Sequence, residues 1–449
     1  MNPGIFREYD LRGIAEKDFN EGDVFLLGKA FGSYIRKEGK KTLALGRDCR
    51  NTSEMYRNAL LEGLLSVGID VLDVGVCPTP LLSFAAHHYK KDAGIIVTAS
   101  HNPPQYNGFK ISFDGSPLFG EKLLILKKMM LEKDFSPDEL GSLGHQDPLP
   151  AYMDFIKKDI VIKGKPKVVI DAGNGTAGMA ALPLLTALGC EVIPLYCEMD
   201  GNFPNHEADP TVAKNLVDLI RLVKEKKADI GIGYDGDGDR IGVVGPDGRI
   251  FHGDQLVVLF AREILKTHPG ATFISEVKCS QTMYDDIRAR GGNAIMWKTG
   301  HSLIRQKMKE TGALLAGEMS GHMFFADRYP GYDDAIYASC RLLEILSLYK
   351  KSMDELLCDL PTCYNTPEIR IPCPEEKKAG IVGALRDYYR NRNKVIDIDG
   401  ARVLFDNGWG LVRASNTEPV LVMRFEAICP DSLNFIRKEM QERVENFLH

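Results

Sequence analysis

Short runs of Val, Ile and Leu alternate with helix-length amphipathic stretches through most of this chain, and the alternation starts afresh three times. KTLALGRD from Lys41, IDVLDVGV from Ile69 and AGIIVTAS from Ala93 make the first set. KVVIDAGNGTAG from Lys167, EVIPLY from Glu191 and ADIGIGYD from Ala228 make the second, and TFISEV from Thr272 with NAIMWKTG from Asn293 the third. Apolar runs spaced by about 10 to 15 helical residues predict βαβ units in a parallel sheet. Their serial recurrence predicts three similar mixed α/β domains.

The pattern changes from about Pro367. A strand ended by prolines, an amphipathic helix EEKKAGIVGALRDYYRNR, a hairpin turning at Asp399-Gly400, two strands around RASNTEP and a closing helix from Pro430 predict a smaller α+β domain with its own sheet. The 449 residues suit about three domains at ~150 residues each, with two to four compatible. Boundaries near residues 147, 250 and 364 give units at 1–147, 148–250, 251–364 and 365–449.

Charge narrows the partners. Lys and Arg number 56 against 62 Asp and Glu, a formal charge of −6, so no basic excess exists to follow a nucleic-acid backbone. An anionic small ligand would need a few cations gathered locally. No apolar run approaches the roughly 18 residues of a membrane span, and MNPGIFREYDLRG lacks a secretory pattern. The ten Cys show no CxxC pair or His-containing zinc spacing and read as reduced thiols. The expectation is a cytoplasmic protein with no membrane, nucleic-acid or obligate protein partner.

Four polar loops carry the chemistry. TASHNPPQYNGFK, Thr98 to Lys110, follows an apolar strand, so Ser100 sits just beyond a strand's carboxyl end, where open α/β sheets bind ligands. Pro103 and Pro104 make this a fixed loop rather than a helix. YDGDGDR sets Asp235, Asp237 and Asp239 at alternate positions after a strand, with Gly between them. Carboxylates so crowded repel unless a cation neutralises them, and oxygen ligands suit Mg²⁺ or Ca²⁺. An EF-hand would need Gly and Glu where Arg240 and Pro246 stand, so that calcium reading fails.

GEMSGH supplies Glu318, Ser320 and His322 on a Gly-loosened backbone, groups suited to hydroxyls. RASNTEP groups the fork of Arg413 with Ser415, Asn416 and Thr417, a combination that suits phosphate. KTGHS adds Lys298 and His301 after a strand end, and YDLRG adds Tyr9 and Arg12 near the start. One such loop falls in each inferred domain, so a central cleft would be needed for them to meet.

Taken together, these ordered motifs resemble the α-D-phosphohexomutase superfamily, specifically its bacterial phosphomannomutase/phosphoglucomutase branch, over nearly the whole chain. The resemblance implies four domains around one cleft. It implies that Ser100 is phosphorylated in the active enzyme, and that Asp235, Asp237 and Asp239 ligate Mg²⁺ together with a phosphoserine oxygen. Lys110 and Arg240 match cations near the transferring phosphoryl group, and Lys298 and His301 match the groups assigned to proton transfer. Glu318 and Ser320 match sugar-hydroxyl contacts, with His322 in the same loop; Arg413, Ser415, Asn416 and Thr417 match the grip on the other phosphate, with Tyr9 and Arg12 lining the first domain's side.

The implied reaction moves phosphate reversibly between C6 and C1 of mannose or glucose phosphate through a phosphoserine enzyme, with hexose 1,6-bisphosphate as intermediate and activator. Rival readings are a phosphoglucosamine mutase, a non-catalytic sugar-phosphate-binding regulator, and a simple Mg²⁺ phosphatase. Gln105, where relatives often carry an acid, and Cys49, where Gly is common, depart from the pattern without touching a chemical group.

Overall fold

The computed structural model describes residues 2–6, 8–137, 139–415 and 419–448. Its strands form four sheets. In the first, Asp70–Val76, Thr42–Arg47 and Ala93–Val97 run parallel in that order, and Tyr106–Phe113 then adds antiparallel to Ala93–Val97. The second repeats this order with Glu191–Leu195, Lys167–Asp171 and Ile230–Tyr234, followed by antiparallel Ile241–Val244. The third repeats it again with Asn293–Trp297, Thr272–Glu276 and Leu315–Gly317, followed by antiparallel Met323–Phe325.

The βαβ reading therefore accounts for the three parallel strands of the first two units and for two of the third, where Leu315–Gly317 is not among the apolar runs read from the sequence, and the antiparallel fourth strand makes each of these three sheets mixed. A parallel return needs a crossover of a dozen or more residues, whereas the loop after each third strand is short and lets the chain only double back. This geometry decides where the chemistry sits. SHNPP, DGDGDR and GEMSGH occupy the same place in the three repeats, at the connection between the last parallel strand and its antiparallel neighbour. In the fourth sheet, which is antiparallel throughout, RASNTEP likewise joins Gly408–Ala414 to Val420–Ala427.

The first three units share a continuous apolar core that includes Phe84, Tyr152, Ile170, Tyr234, Phe260 and Tyr337. The fourth has its own, built from Leu385, Val403, Val412, Met423, Phe425 and Met440 beneath the helices Glu375–Arg390 and Pro430–Leu448. It meets the third through a small cluster of Val277, Trp409 and Leu411. There, buried Arg402 and Arg424 donate to the carbonyls of Val277, Cys279 and Lys278. No helix among the described residues is long and apolar enough to cross a membrane.

Candidate active site

Ser100 follows the strand Ala93–Val97 and is held with φ of 53°, a left-handed conformation that costs a serine about 1 to 3 kcal/mol. Its loop is fixed from behind by Arg50, a residue the sequence reading passed over. The buried guanidinium donates to the carbonyl oxygens of Ser100 at 2.8 Å, Asn102 at 2.6 Å, Pro103 at 2.8 Å and Tyr106 at 3.0 Å. Asp48 accepts from its Nε at 3.1 Å, and its plane lies 4.9 Å from the Phe203 ring centroid. LGRDCR ends the strand beside that of Ser100, so the strand-end criterion that singled out Ser100 would also have found Arg50.

In front, the Ser100 hydroxyl donates to Asp235 Oδ2 at 2.7 Å and lies 3.0 Å from His101 Nδ1. Burial and then the charges of Arg240, Arg12 and Lys110 keep His101 neutral well below the usual histidine range. The second domain's loop can approach so closely because of Gly236, where a Cβ would collide with the Ser100 carbonyl.

Asp235, Asp237 and Asp239 are fully buried and offer carboxylate oxygens within 4.8 Å of one another. Burial, and then repulsion from Asp239 and Asp237, pushes the Asp235 pKa well above the carboxylate range. Burial would raise Asp237 and Asp239 too, but Lys110 overrides it and holds both low. Its ammonium donates to Asp237 Oδ2 at 2.6 Å and also pairs with Asp239, while the Thr79 hydroxyl donates to Asp237 Oδ2 at 2.6 Å. One lysine does not satisfy three carboxylates. Asp237 Oδ1 and Asp239 Oδ1 are buried with no hydrogen-bond donor among the described residues, an all-oxygen arrangement that fits a hard divalent cation such as Mg²⁺.

The third domain's loop locks onto the second's through a bridge between Arg240 and His322. Arg240 Nε donates to His322 Nε2 at 3.0 Å, which leaves the ring proton on Nδ1, facing Asp333 Oδ2 at 3.0 Å and Asp239 Oδ1 at 3.6 Å. The His301 ring stacks 5.3 Å from that of His322 and packs edge-on to Tyr9 at 6.2 Å. Burial lowers the His301 pKa, against an opposing pull from Asp333. Buried Glu318 accepts from Gly300 N at 2.8 Å, and Ser320 is half-buried. Lys298 is exposed, with no hydrogen bond or ion pair among the described residues, so it is not drawn into this cluster.

On the fourth domain, buried Arg413 donates from Nε to Asp399 Oδ2 at 3.0 Å, and the same oxygen accepts from Thr299 N at 3.0 Å. The Thr299 carbonyl accepts from the Tyr9 hydroxyl at 2.8 Å. Asp399 thus joins the fourth domain to the turn preceding His301, a role its DG hairpin signature does not reveal. Ser415 is buried, and its carbonyl accepts from Lys378 Nζ at 2.6 Å; Asn416 and Thr417 lie outside the described residues. Arg12 pairs with Asp10 at 2.5 Å and with Asn102, while its Nε is buried without an acceptor among the described residues.

Four family models match in series. They are the phosphoglucomutase/phosphomannomutase alpha/beta/alpha domains I, II and III, over residues 3–136, 150–248 and 252–364, and the C-terminal domain over 368–442. The chain belongs to the phosphoglucomutase/phosphomannomutase family. A phosphomannomutase/phosphoglucomutase of Pseudomonas aeruginosa is 46% identical, with 98% of this chain and 95% of that protein covered. A phosphoglucomutase of Neisseria gonorrhoeae is 42% identical, covering 99% and 97%. A crystal structure of a phosphoglucomutase/phosphomannomutase family protein from Burkholderia thailandensis superposes with a TM-score of 0.94 at 41% identity, covering 100% of this chain and 98% of that one.

Proposed function

We propose that this phosphohexomutase moves a phosphoryl group between C6 and C1 of mannose or glucose phosphate through phosphorylated Ser100 and a hexose 1,6-bisphosphate intermediate. That the chain is a hexose phosphate mutase, an isomerase, follows from full-length family membership. The covalent route rests on one observation above the others: Ser100 Oγ lies 2.7 Å from Asp235 within a buried carboxylate trio paired to Lys110.

In the forward step a sugar hydroxyl oxygen bonds to the phosphorus as the bond from phosphorus to Ser100 Oγ breaks. Lys110 and Arg240 stand where charge gathers on the transferring group's oxygens. His301, held neutral by burial, can take the hydroxyl proton; Lys298, exposed where it stands, is the second group assigned to that role. The bisphosphate then turns over, and its other phosphate returns to Ser100 Oγ. Asp235, Asp237 and Asp239, with a phosphoserine oxygen, would hold Mg²⁺, which when bound supplies further neutralisation of phosphoryl charge.

Glu318, Ser320 and His322 are assigned to the sugar hydroxyls. Arg413, Ser415, Asn416 and Thr417, with Tyr9 and Arg12, are assigned to the phosphate not being transferred. The division at residues 147, 250 and 364, the cytoplasmic location and the activating role of hexose 1,6-bisphosphate belong to the same proposal. The phosphoglucosamine mutase and idle-regulator readings are not favoured, because relatives at 46% and 42% identity are named for mannose and glucose.

Intact mass before and after glucose 1,6-bisphosphate tests the reading. The expected result is gain of one phosphoryl group, absent in Ser100→Ala. Turnover without it, or release of inorganic phosphate in place of mutase product, would sink the mechanism.

A further inference from the structure

A cavity of about 670 Å³ lies between the first and third domains, at the strand ends opposite the Ser100 centre. Its wall includes Ala93, the first residue of the strand whose far end leads to Ser100, and Leu314, which precedes the strand leading to Glu318. The volume falls within the roughly 300 to 1,000 Å³ of small-molecule sites.

The lining is cationic. Lys90, Lys91, Arg305 and Lys309 all border the cavity, and none of them pairs with a carboxylate among the described residues. Of the two acids present, Asp92 is already engaged by the Thr42 amide and hydroxyl and by Lys40 at 3.2 Å, while Asp114 is exposed. Arg305 is the informative member. It is mostly buried, its Nη2 donates across the domain boundary to the Gly115 carbonyl at 2.9 Å, and it sits 5.8 Å from the Tyr332 ring centroid. Burial pushes its pKa below the ordinary guanidinium value. A charge removed from water is ordinarily paired, and although Asp333 acts on this one from a distance, no carboxylate among the described residues forms an ion pair with it. Met308, Ala313 and Leu314 provide an apolar patch beside it.

We propose that this crevice is a second binding site, separate from the Ser100 centre, for a small phosphorylated anion gripped by Arg305, Lys91 and Lys309. A ligand held by Lys91 on one side and Lys309 on the other ties the first domain to the third. Two chain continuities lead from it to the centre. The helix His301–Thr311 carries Arg305 and Lys309 and begins at His301, and Tyr332 is followed by Asp333, which faces His322 at 3.0 Å.

The test is calorimetric titration of inorganic pyrophosphate, without divalent metal, into full-length protein carrying Arg413→Ala to weaken phosphate binding in the cleft. One site is expected. Adding Arg305→Gln should weaken it about tenfold or more, the scale of a lost charge-assisted contact. The pair Lys91→Glu and Lys309→Glu should do the same without moving the thermal midpoint, which separates lost binding from lost folding. Absence of binding in the Arg413→Ala protein, or affinity indifferent to all three crevice substitutions, overturns the proposal. A cleft site that survived Arg413→Ala would show that indifference, so a wrong assignment of Arg413 is distinguishable from a wrong crevice.

Discussion

The loop bearing Ser100 follows a strand and leads into its antiparallel neighbour, and Arg413 stands near the end of a strand that also has an antiparallel successor, yet the protein holds the two residues in different ways. Around Ser100 a strained backbone is pinned by four carbonyl contacts from one buried arginine, and the hydroxyl is anchored on a second domain. Among the described residues Arg413 donates to the carboxylate of Asp399, and the Ser415 carbonyl accepts from a lysine of its own domain. On the proposed mechanism the first arrangement would fix the reacting atom. The second would grip a group arriving in two orientations, which calls for charge more than for rigidity.

The largest expected effect comes from removing the reacting atom. Ser100→Ala should reduce mutase turnover to background while glucose 1-phosphate still binds, since the other loops are untouched. Calorimetry on the inactive variant checks the second half. Next is the cation. EDTA should silence the enzyme and Mg²⁺ restore it. Asp237→Asn should likewise silence turnover in saturating Mg²⁺, because it removes one of the three carboxylates that would hold the cation, and it should also lower the thermal midpoint, because Lys110 and Thr79 hold that carboxylate in its charged form.

Arg50→Met probes rigidity itself. Freed from its four contacts the Ser100 loop should shift, and a shift near 1 Å can cost about 100-fold in kcat. KM should change little, since Arg50 has no part in the phosphate grip, and the rate of Ser100 phosphorylation by glucose 1,6-bisphosphate should fall in parallel. Loss of folding alone would instead reduce the active fraction and leave the rate per folded molecule intact.

The strand-to-loop order of the first two units was legible in the sequence because buried parallel strands are written as unbroken apolar runs, and Ser100 and the three aspartates stood at their ends. The antiparallel fourth strands were less so, since an apolar run carries no direction. Arg50, although it follows a strand end, and Asp399 were overlooked for a related reason. An arginine beside an aspartate reads as a surface pair and an Asp-Gly as a hairpin turn, until distant segments arrive to use the donors and acceptors. Lys298 shows the converse, a strand-end lysine with the right neighbours in sequence that the fold leaves exposed.

The smallest effects test the grip. Arg413→Ala removes a charge-assisted contact of ~1.5 to 3 kcal/mol, or roughly ten- to a hundredfold in kcat/KM. Glucose 1-phosphate and mannose 1-phosphate should suffer equally because the phosphate is their common part, and a large change in their ratio would mean that this turn reads the sugar. Asp399→Ala leaves the arginine in place but unsteadied, so the loss should be about two- to tenfold, the worth of an ordinary hydrogen bond. Where that loss falls decides the division of labour. Asp399 Oδ2 serves both Arg413 and Thr299 N, and Thr299 precedes the turn into His301. If the fourth domain only grips phosphate, KM rises and kcat stays near its starting value. A fall in kcat at constant KM would mean instead that Asp399 steadies the His301 turn, and the contrast between a fixed centre and an adjustable grip would no longer hold at this residue.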